Sequence, residues 1–180
     1  MNYVTVPLAL SHIKENFACG KTLLDSYLHK QAKQDVKRRL SACFVLPDGN
    51  EIKGYYTLST ASVERKVLPQ DVIKKLPPSY NDLPATLLGR LAIGKNYQGQ
   101  GLGEIILVDA LKRSYFASLE VGSMAVIVDP LDEEAVKFYK KYNFISLPDS
   151  GKMFLPMATI AQLFPEERKR DTFGIVLSFV

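Results

Sequence analysis

Apolar and polar positions along this chain fall into blocks whose period changes several times. From Thr22 the run TLLDSYLHKQAKQDVKRR spaces Leu24, Tyr27, Leu28 and Gln31 at helical intervals, which predicts one amphipathic helix with a basic C-terminal end. Thr22-x-x-Asp25 reads as its capping pattern. Residues 41 to 60, SACFVLPDGNEIKGYYTLST, hold two β-rich runs around Pro47-Asp48-Gly49-Asn50, the spacing of an antiparallel hairpin. The stretch from Val67 to Pro84 contains Pro69, Pro77, Pro78 and Pro84 around Val72 and Ile73, so it is expected to be a loop with one helical turn. Beyond it ATLLGRLAI reads as a strand, Gly94 to Gly99 as a turn, and residues 101 to 119 as a helix with Ile105, Ile106, Val108, Ala110 and Leu111 apolar. The unbroken apolar character of MAVIVD, residues 124 to 129, predicts a buried strand. DEEAVKFYKKY, residues 132 to 142, follows as a helix capped by Asp132. The order is β-α-β-α.

Composition narrows this further. At 180 residues and 47% hydrophobic, without repeats or a Pro/Gly-rich linker, the chain reads as one domain over residues 1–180 with a core of its own. Charged residues at 23% and aromatics at 10% exclude a disordered or coiled-coil chain. Cys19 and Cys43 form no CxxC pair and only His12 and His29 could join them, so neither a disulfide scaffold nor a metal site is expected. No apolar run approaches the ~18 residues that span a bilayer, and a cytoplasmic, non-membrane location with reduced thiols is expected. Lys and Arg outnumber Asp and Glu by 23 to 19, a net charge of +4, which leans toward an anionic partner: nucleic acid, an acidic protein or a phosphorylated cofactor.

Candidate chemistry starts at Gln98-Gly99-Gln100-Gly101-Leu102-Gly103. A dinucleotide fingerprint from Gly99 would need glycine where Glu104 stands, and no Gly-Lys-Ser/Thr follows for a Walker loop. What remains is Gln-x-x-Gly-x-Gly between a strand and a helix. There glycines let successive N–H groups face one concavity at a helix N-terminus, which suits a pyrophosphate. On these six residues alone an ordinary glycine-rich turn is an equal reading.

Two longer segments decide between them. LLGRLAIGKNYQGQGLGEIILVDAL, residues 87 to 111, and MAVIVDPLDEEAVKFYKKYNF, residues 124 to 144, resemble the strand, pyrophosphate loop and helix, and the second strand and helix, of the GCN5-related N-acetyltransferase (GNAT) superfamily. FACGKTLLDSYLHKQAKQD near the N-terminus and GRLAI before the loop resemble its toxin branch, acetyltransferases of type II toxin-antitoxin modules that block the amino group of aminoacyl-tRNA. The resemblance implies a GNAT fold of the α/β (α+β) class: a mixed central β-sheet flanked by helices, with a splayed pair of parallel strands, ending near Ile93 and Asp129, that holds acetyl-CoA. It further implies that Leu91, Ala92 and Ile93 offer backbone groups to the pantetheine arm, and that Gln98, Gly99, Gly101, Leu102 and Gly103 hold the pyrophosphate. Tyr139 stands where the family places its general acid, which protonates the departing thiolate. Read without the resemblance, Tyr139 is a packing aromatic; with it, Tyr139 is the acid and Tyr142 structural. Arg90 is either a strand residue with a snorkelling charge or a contact to substrate or RNA phosphate. Two departures stand out. Asn143 replaces the usual glycine before the last Phe, a substitution that a left-handed C-cap tolerates, and Asp132 replaces a common asparagine.

No catalytic base is evident near Tyr139, and that favours an α-amine. With a pKa near ~7.7 such an amine is neutral far more often at neutral pH than a lysine side chain near ~10.4. The amino group of aminoacyl-tRNA fits, and tRNA would account for the cationic runs Lys30, Lys33, Lys37, Arg38, Arg39 and Lys74, Lys75. Alternatives are a GNAT enzyme acting on a small amine, polyamine or protein N-terminus, and a non-catalytic acyl-CoA-binding module in which Tyr139 is idle. A toxin implies a small antitoxin partner. The apolar tail DTFGIVLSFV, residues 171–180, is expected to be a strand or interface segment, covered by its own sheet or within a homodimer.

Overall fold

The computed structural model describes residues 3–165. The tail at 171–180, and the strand or interface expected of it, lie outside the described residues. Seven strands form one sheet: β1 (Val6–Pro7), β2 (Ala42–Asp48), β3 (Glu51–Glu64), β4 (Asp82–Ile93), β5 (Ala125–Val128), β6 (Ile145–Ser146) and β7 (Met153–Pro156). Their spatial order is β1-β2-β3-β4-β5-β7-β6, antiparallel except where β4 meets β5. The helices are α1 (Thr22–Lys30), α2 (Ala32–Lys37), α3 (Gln70–Ile73), α4 (Leu102–Glu120), α5 (Glu133–Lys141) and α6 (Met157–Ile160). The mixed sheet flanked by helices is the expected α+β architecture, and the hairpin turn falls at Gly49-Asn50 as the pattern predicts.

Strand alternation assigns the two faces. Neighbours Tyr55 and Tyr56 on β3 are both fully buried, and consecutive strand residues point to opposite sides. Tyr56 packs with Ile106, Leu107 and Leu111 of α4, whereas Tyr55 packs with Tyr27 and Leu28 of α1. A third cluster of Val63, Leu68, Leu83, Ile127 and Phe154 fills the far end of the sheet, with Val72 and Ile73 of α3 against it.

Two features of β4 prepare a site. Parallel pairing with β5 covers only Thr86↔Val126, Leu87↔Ile127 and Leu88↔Val128. From Arg90 to Ile93 the strand is paired with β3 alone, so the sheet opens into a V past Leu88 and Val128. Thr57 faces Arg90 while Leu58 faces Leu88, which makes Gly89 the extra residue of a β-bulge. A Cβ at Gly89 would sit 3.2 Å from Thr57 Oγ1. Because side chains alternate with period two, the extra residue reverses which face the strand presents. Leu88 joins the α4 core, and Arg90, two positions on, stacks against α1 instead.

The N-terminal region departs from the pattern in two ways. The run expected as one helix from Thr22 is two, broken at Gln31 without glycine or proline. The cause is tertiary: fully buried Ala32 packs with Leu28, Cys43 and Val45, and the chain turns to seat it. The N-cap of α1 is Lys21 rather than Thr22, with no side-chain cap. Asp25 instead reaches back to accept from the N–H groups of Cys19 (2.7 Å) and Gly20 (3.4 Å), so it fixes the preceding turn.

Candidate active site

The V between β4 and β5 receives contributions from four elements. The loop after β4 turns through Gly99 (φ 74°) and Gly101 (φ 76°), both in the left-handed region that glycine occupies without strain. Gly101 is the N-cap of the 19-residue α4, so the helix opens directly onto the loop. No heavy atom lies within 4 Å of a Cβ built on either glycine, leaving the space above the loop clear. Open space at two left-handed glycines beside a helix N-terminus is the arrangement in which backbone N–H groups can receive an anion. The Gln98 side chain braces this loop from below. Its amide donates to the carbonyls of Ile93 and Cys19, both at 2.9 Å, tying the loop to the turn before α1.

Every residue expected at the cofactor, Leu91, Ala92, Ile93, Gln98, Gly99, Gly101, Leu102 and Gly103, lines one cavity of about 620 Å³. A second cavity of about 520 Å³ lies beside it, with Arg90 and the α1 residues Leu23, Tyr27 and Lys30 among its walls. Leu24, Leu91, Leu131, Ala135 and Tyr139 line both. The two cavities therefore meet at Tyr139.

Tyr139 is placed by α5, whose N-terminus is capped by Asp132 through a 2.9 Å bond from Ala135 N–H. Its ring packs on Phe138 and Phe144, and 7% of the residue is exposed, at the junction. Burial pushes its phenol well above the ordinary value, so it stays protonated at any physiological pH. Asn143 takes the left-handed conformation (φ 63°) after the helix, as the departure from glycine requires. Tyr142 donates to Glu104 at 3.0 Å, linking α5 to α4.

Arg90 is half-buried. Its guanidinium lies 3.5 Å from the centroid of the Tyr27 ring, a cation–π contact, and both residues line the second cavity. Lys30 lines the same cavity, while Lys33 and Lys37 line a separate groove with Leu8, Leu10, His12 and Val36.

Three contributors escape a reading of the chain alone. Lys21 Nζ bonds Asp132 (2.8 Å) and Glu134 (3.2 Å), joining the start of α1 to the start of α5 beside the first cavity. Its ammonium draws the Asp132 carboxyl below the usual carboxylate range. A separation of 111 residues hides this contact from any local pattern. Cys19 lines the first cavity, but burial and, second, the bond to Asp25 push its thiol up to about 11, so it offers no thiolate nucleophile. Asp129, expected only as the end of a splayed strand, lines the second cavity together with Tyr139.

Similarity to known proteins bears on this geometry. A model described as the Acetyltransferase (GNAT) family matches residues 11–144. The chain is 35% identical over 143 residues, 79% of its own length and 84% of the relative's, to a tRNA-acetylating toxin of Mycobacterium tuberculosis (strain ATCC 25618 / H37Rv). The crystal structure of a tyrosine-to-phenylalanine mutant of KacT is similar with a TM-score of 0.84 and 33% identity, covering 91% of this chain and 100% of that one. A structure of AtaT complexed with acetyl-methionyl-tRNAfMet gives a TM-score of 0.82 and 30% identity, covering 91% and 99%.

Proposed function

The chain belongs to the acetyltransferase (GNAT) family, and from that membership we propose that it acetylates the α-amino group of aminoacyl-tRNA and so blocks translation. It is an N-acetyltransferase with acetyl-CoA as co-substrate. The observation that carries the finer reading is the meeting of two cavities at a buried, protonated tyrosine, with the second cavity edged by Lys30 and Arg90. A diphosphate fits the glycine loop and a phosphate-bearing acceptor fits the cationic side. Relatives of this similarity include a tRNA-acetylating toxin and a toxin bound to an acetylated aminoacyl-tRNA.

Acetyl-CoA supplies an activated acetyl group. In the proposed mechanism the N–H groups of residues 98–103 hold its diphosphate, and the unpaired edge of Leu91, Ala92 and Ile93 holds the pantetheine arm. Tyr139 keeps a proton at Oη within reach of the leaving sulfur. Transfer is direct to the amine, since the one thiol lining the cavity among the described residues, that of Cys19, is protonated. Arg90, held on Tyr27, turns its N–H edge to the acceptor's ester or phosphate. The enzyme needs no strong base for an amine whose pKa lies near ~7.7, so the rate should rise from pH 6 to 8 and show no alkaline fall from Tyr139.

Transfer of labelled acetyl to bulk charged tRNA, with uncharged tRNA and free amines as parallel acceptors, tests the assignment. Label retained on charged tRNA and released by ester hydrolysis is the expected result; label moving only to free amines overturns it. The same reading carries a small antitoxin covering the active face, as an antitoxin segment binds AtaT, and a homodimer as the assembled form.

A further inference from the structure

The second cavity contains a single acidic side chain among the described residues, Asp129. It follows the last residue of β5, Val128, at the point where β4 and β5 cease to pair. Tyr139 lines the same cavity. Asp129 is exposed and makes no hydrogen bond or ion pair with any described residue, whereas other carboxylates around the site are engaged: Asp132 and Glu134 by Lys21, Glu104 by Tyr142, and Asp25 by the backbone at Cys19. The charged and titratable groups sharing its cavity are Lys30 and Tyr27 of α1, Arg90 of β4 and Tyr139 of α5. One unpartnered carboxylate and two cations thus mark a site of mixed sign.

We propose that Asp129 is the acceptor-binding residue that receives the substrate's ammonium group and holds it beside Tyr139 at the junction of the two cavities. The ligand class is an α-amino acyl ester, cationic at the amine and anionic farther along at a phosphate, so that Asp129 takes one end while Arg90 and Lys30 take the other. This deepens the proposed function and rests on it for the phosphate end alone. A carboxylate beside an ammonium favours the charged form, so Asp129 strengthens binding and raises the pKa of the bound amine. One ammonium proton leaves to solvent before the nitrogen lone pair attacks, by the route that the exposed position of Asp129 leaves open. The second proton, lost from nitrogen as the amide forms, balances the one that Tyr139 gives to the departing sulfur and regains from solvent.

The test is steady-state kinetics at saturating acetyl-CoA for the wild type, Asp129→Asn and Asp129→Glu, with charged tRNA and an α-amino-acid ethyl ester as acceptors. For Asp129→Asn the acceptor KM is expected to rise about 10-fold, a partly solvated charge-assisted bond being lost. The acid limb of the kcat–pH profile should move to lower pH, because the bound amine loses its carboxylate, and Asp129→Glu should restore both. An unchanged KM and limb overturns the assignment. So does a fall in kcat with loss of the acid limb at constant KM, which identifies Asp129 as the proton acceptor. If the wild type acetylates the ester but not charged tRNA, the tRNA reading fails while the Asp129 assignment is decided on the ester. Acetylation of neither overturns both.

Discussion

Replacing Tyr139 by phenylalanine is expected to lower turnover about 100-fold or more while acetyl-CoA binds as before. The variant removes one oxygen from a ring packed against Phe138 and Phe144, so the fold and cavity walls are retained. What is lost, under the proposed mechanism, is the proton held for the departing sulfur. Coenzyme A then leaves as a bare thiolate into a junction lined by Leu24, Leu91, Leu131 and Ala135, where an anion is poorly solvated. Single-turnover measurement of acetyl transfer, paired with calorimetric titration of acetyl-CoA, separates the two effects. A rate within a few-fold of wild type would remove Tyr139 from the chemistry and return it to packing.

The second large effect is on stability. Asp109 of α4 is 5% exposed and accepts from Thr5 Oγ1 (2.5 Å), Tyr56 Oη (2.7 Å) and Val4 N–H (2.8 Å). Arg113, one turn on, approaches it at 3.4 Å and donates to Tyr56 Oη and the Thr5 carbonyl. The guanidinium also lies against the rings of Tyr3 and Phe44, so β2, β3, α4 and the segment before β1 are joined at one polar cluster. Asp109→Ala strands several buried donors at once and a largely buried cation, and breaking such a pair costs about 3–5 kcal/mol. For a chain of this size that is a fall in Tm of roughly 10 °C, measurable by thermal denaturation. Asp109→Asn keeps the shape and some acceptors, and is expected to recover part of the loss.

How much of this the chain announces depends on the range of each signal. Elements from Ala85 to Tyr142 are legible because strand, glycine turn, helix and strand each carry a local period, and Asp132 caps α5 as its position suggests, whereas the short β6, β7 and α6 beyond them carry no such period and were not expected. The residues proposed to hold the cofactor come from the same stretch, since they are consecutive or nearly so and fall along one cavity. The break at Gln31 is not legible, because its cause is Ala32 packing on β2 rather than a helix breaker. Asp25 at a capping position is equally ambiguous: a carboxylate in the first turn serves either the helix or the turn before it, and here it serves the turn. Lys21 with Asp132, and Asp129 beside Arg90, become neighbours only when the sheet brings distant segments together. Arg90 shows the limit most clearly. Counting by twos from Leu88 turns it into the α4 core, and only the bulge at Gly89 sends it to Tyr27.

The V opened past Leu88 and Val128 is also an unfinished sheet. Residues 90–93 have strand pairing on one side only, so this edge of β4 presents main-chain groups that water or a ligand must satisfy. A co-substrate that lies along that edge completes the ladder, and whatever binds the native chain alone shifts the folding equilibrium toward it, by about 2.7 kcal/mol at a hundred times the dissociation constant. The metabolic state of the cell then sets more than the supply of acetyl groups. If acetyl-CoA binds along that edge as proposed, saturating it is expected to slow limited proteolysis of the enzyme, so a fall in acetyl-CoA would expose the protein to degradation at the moment it has least to transfer.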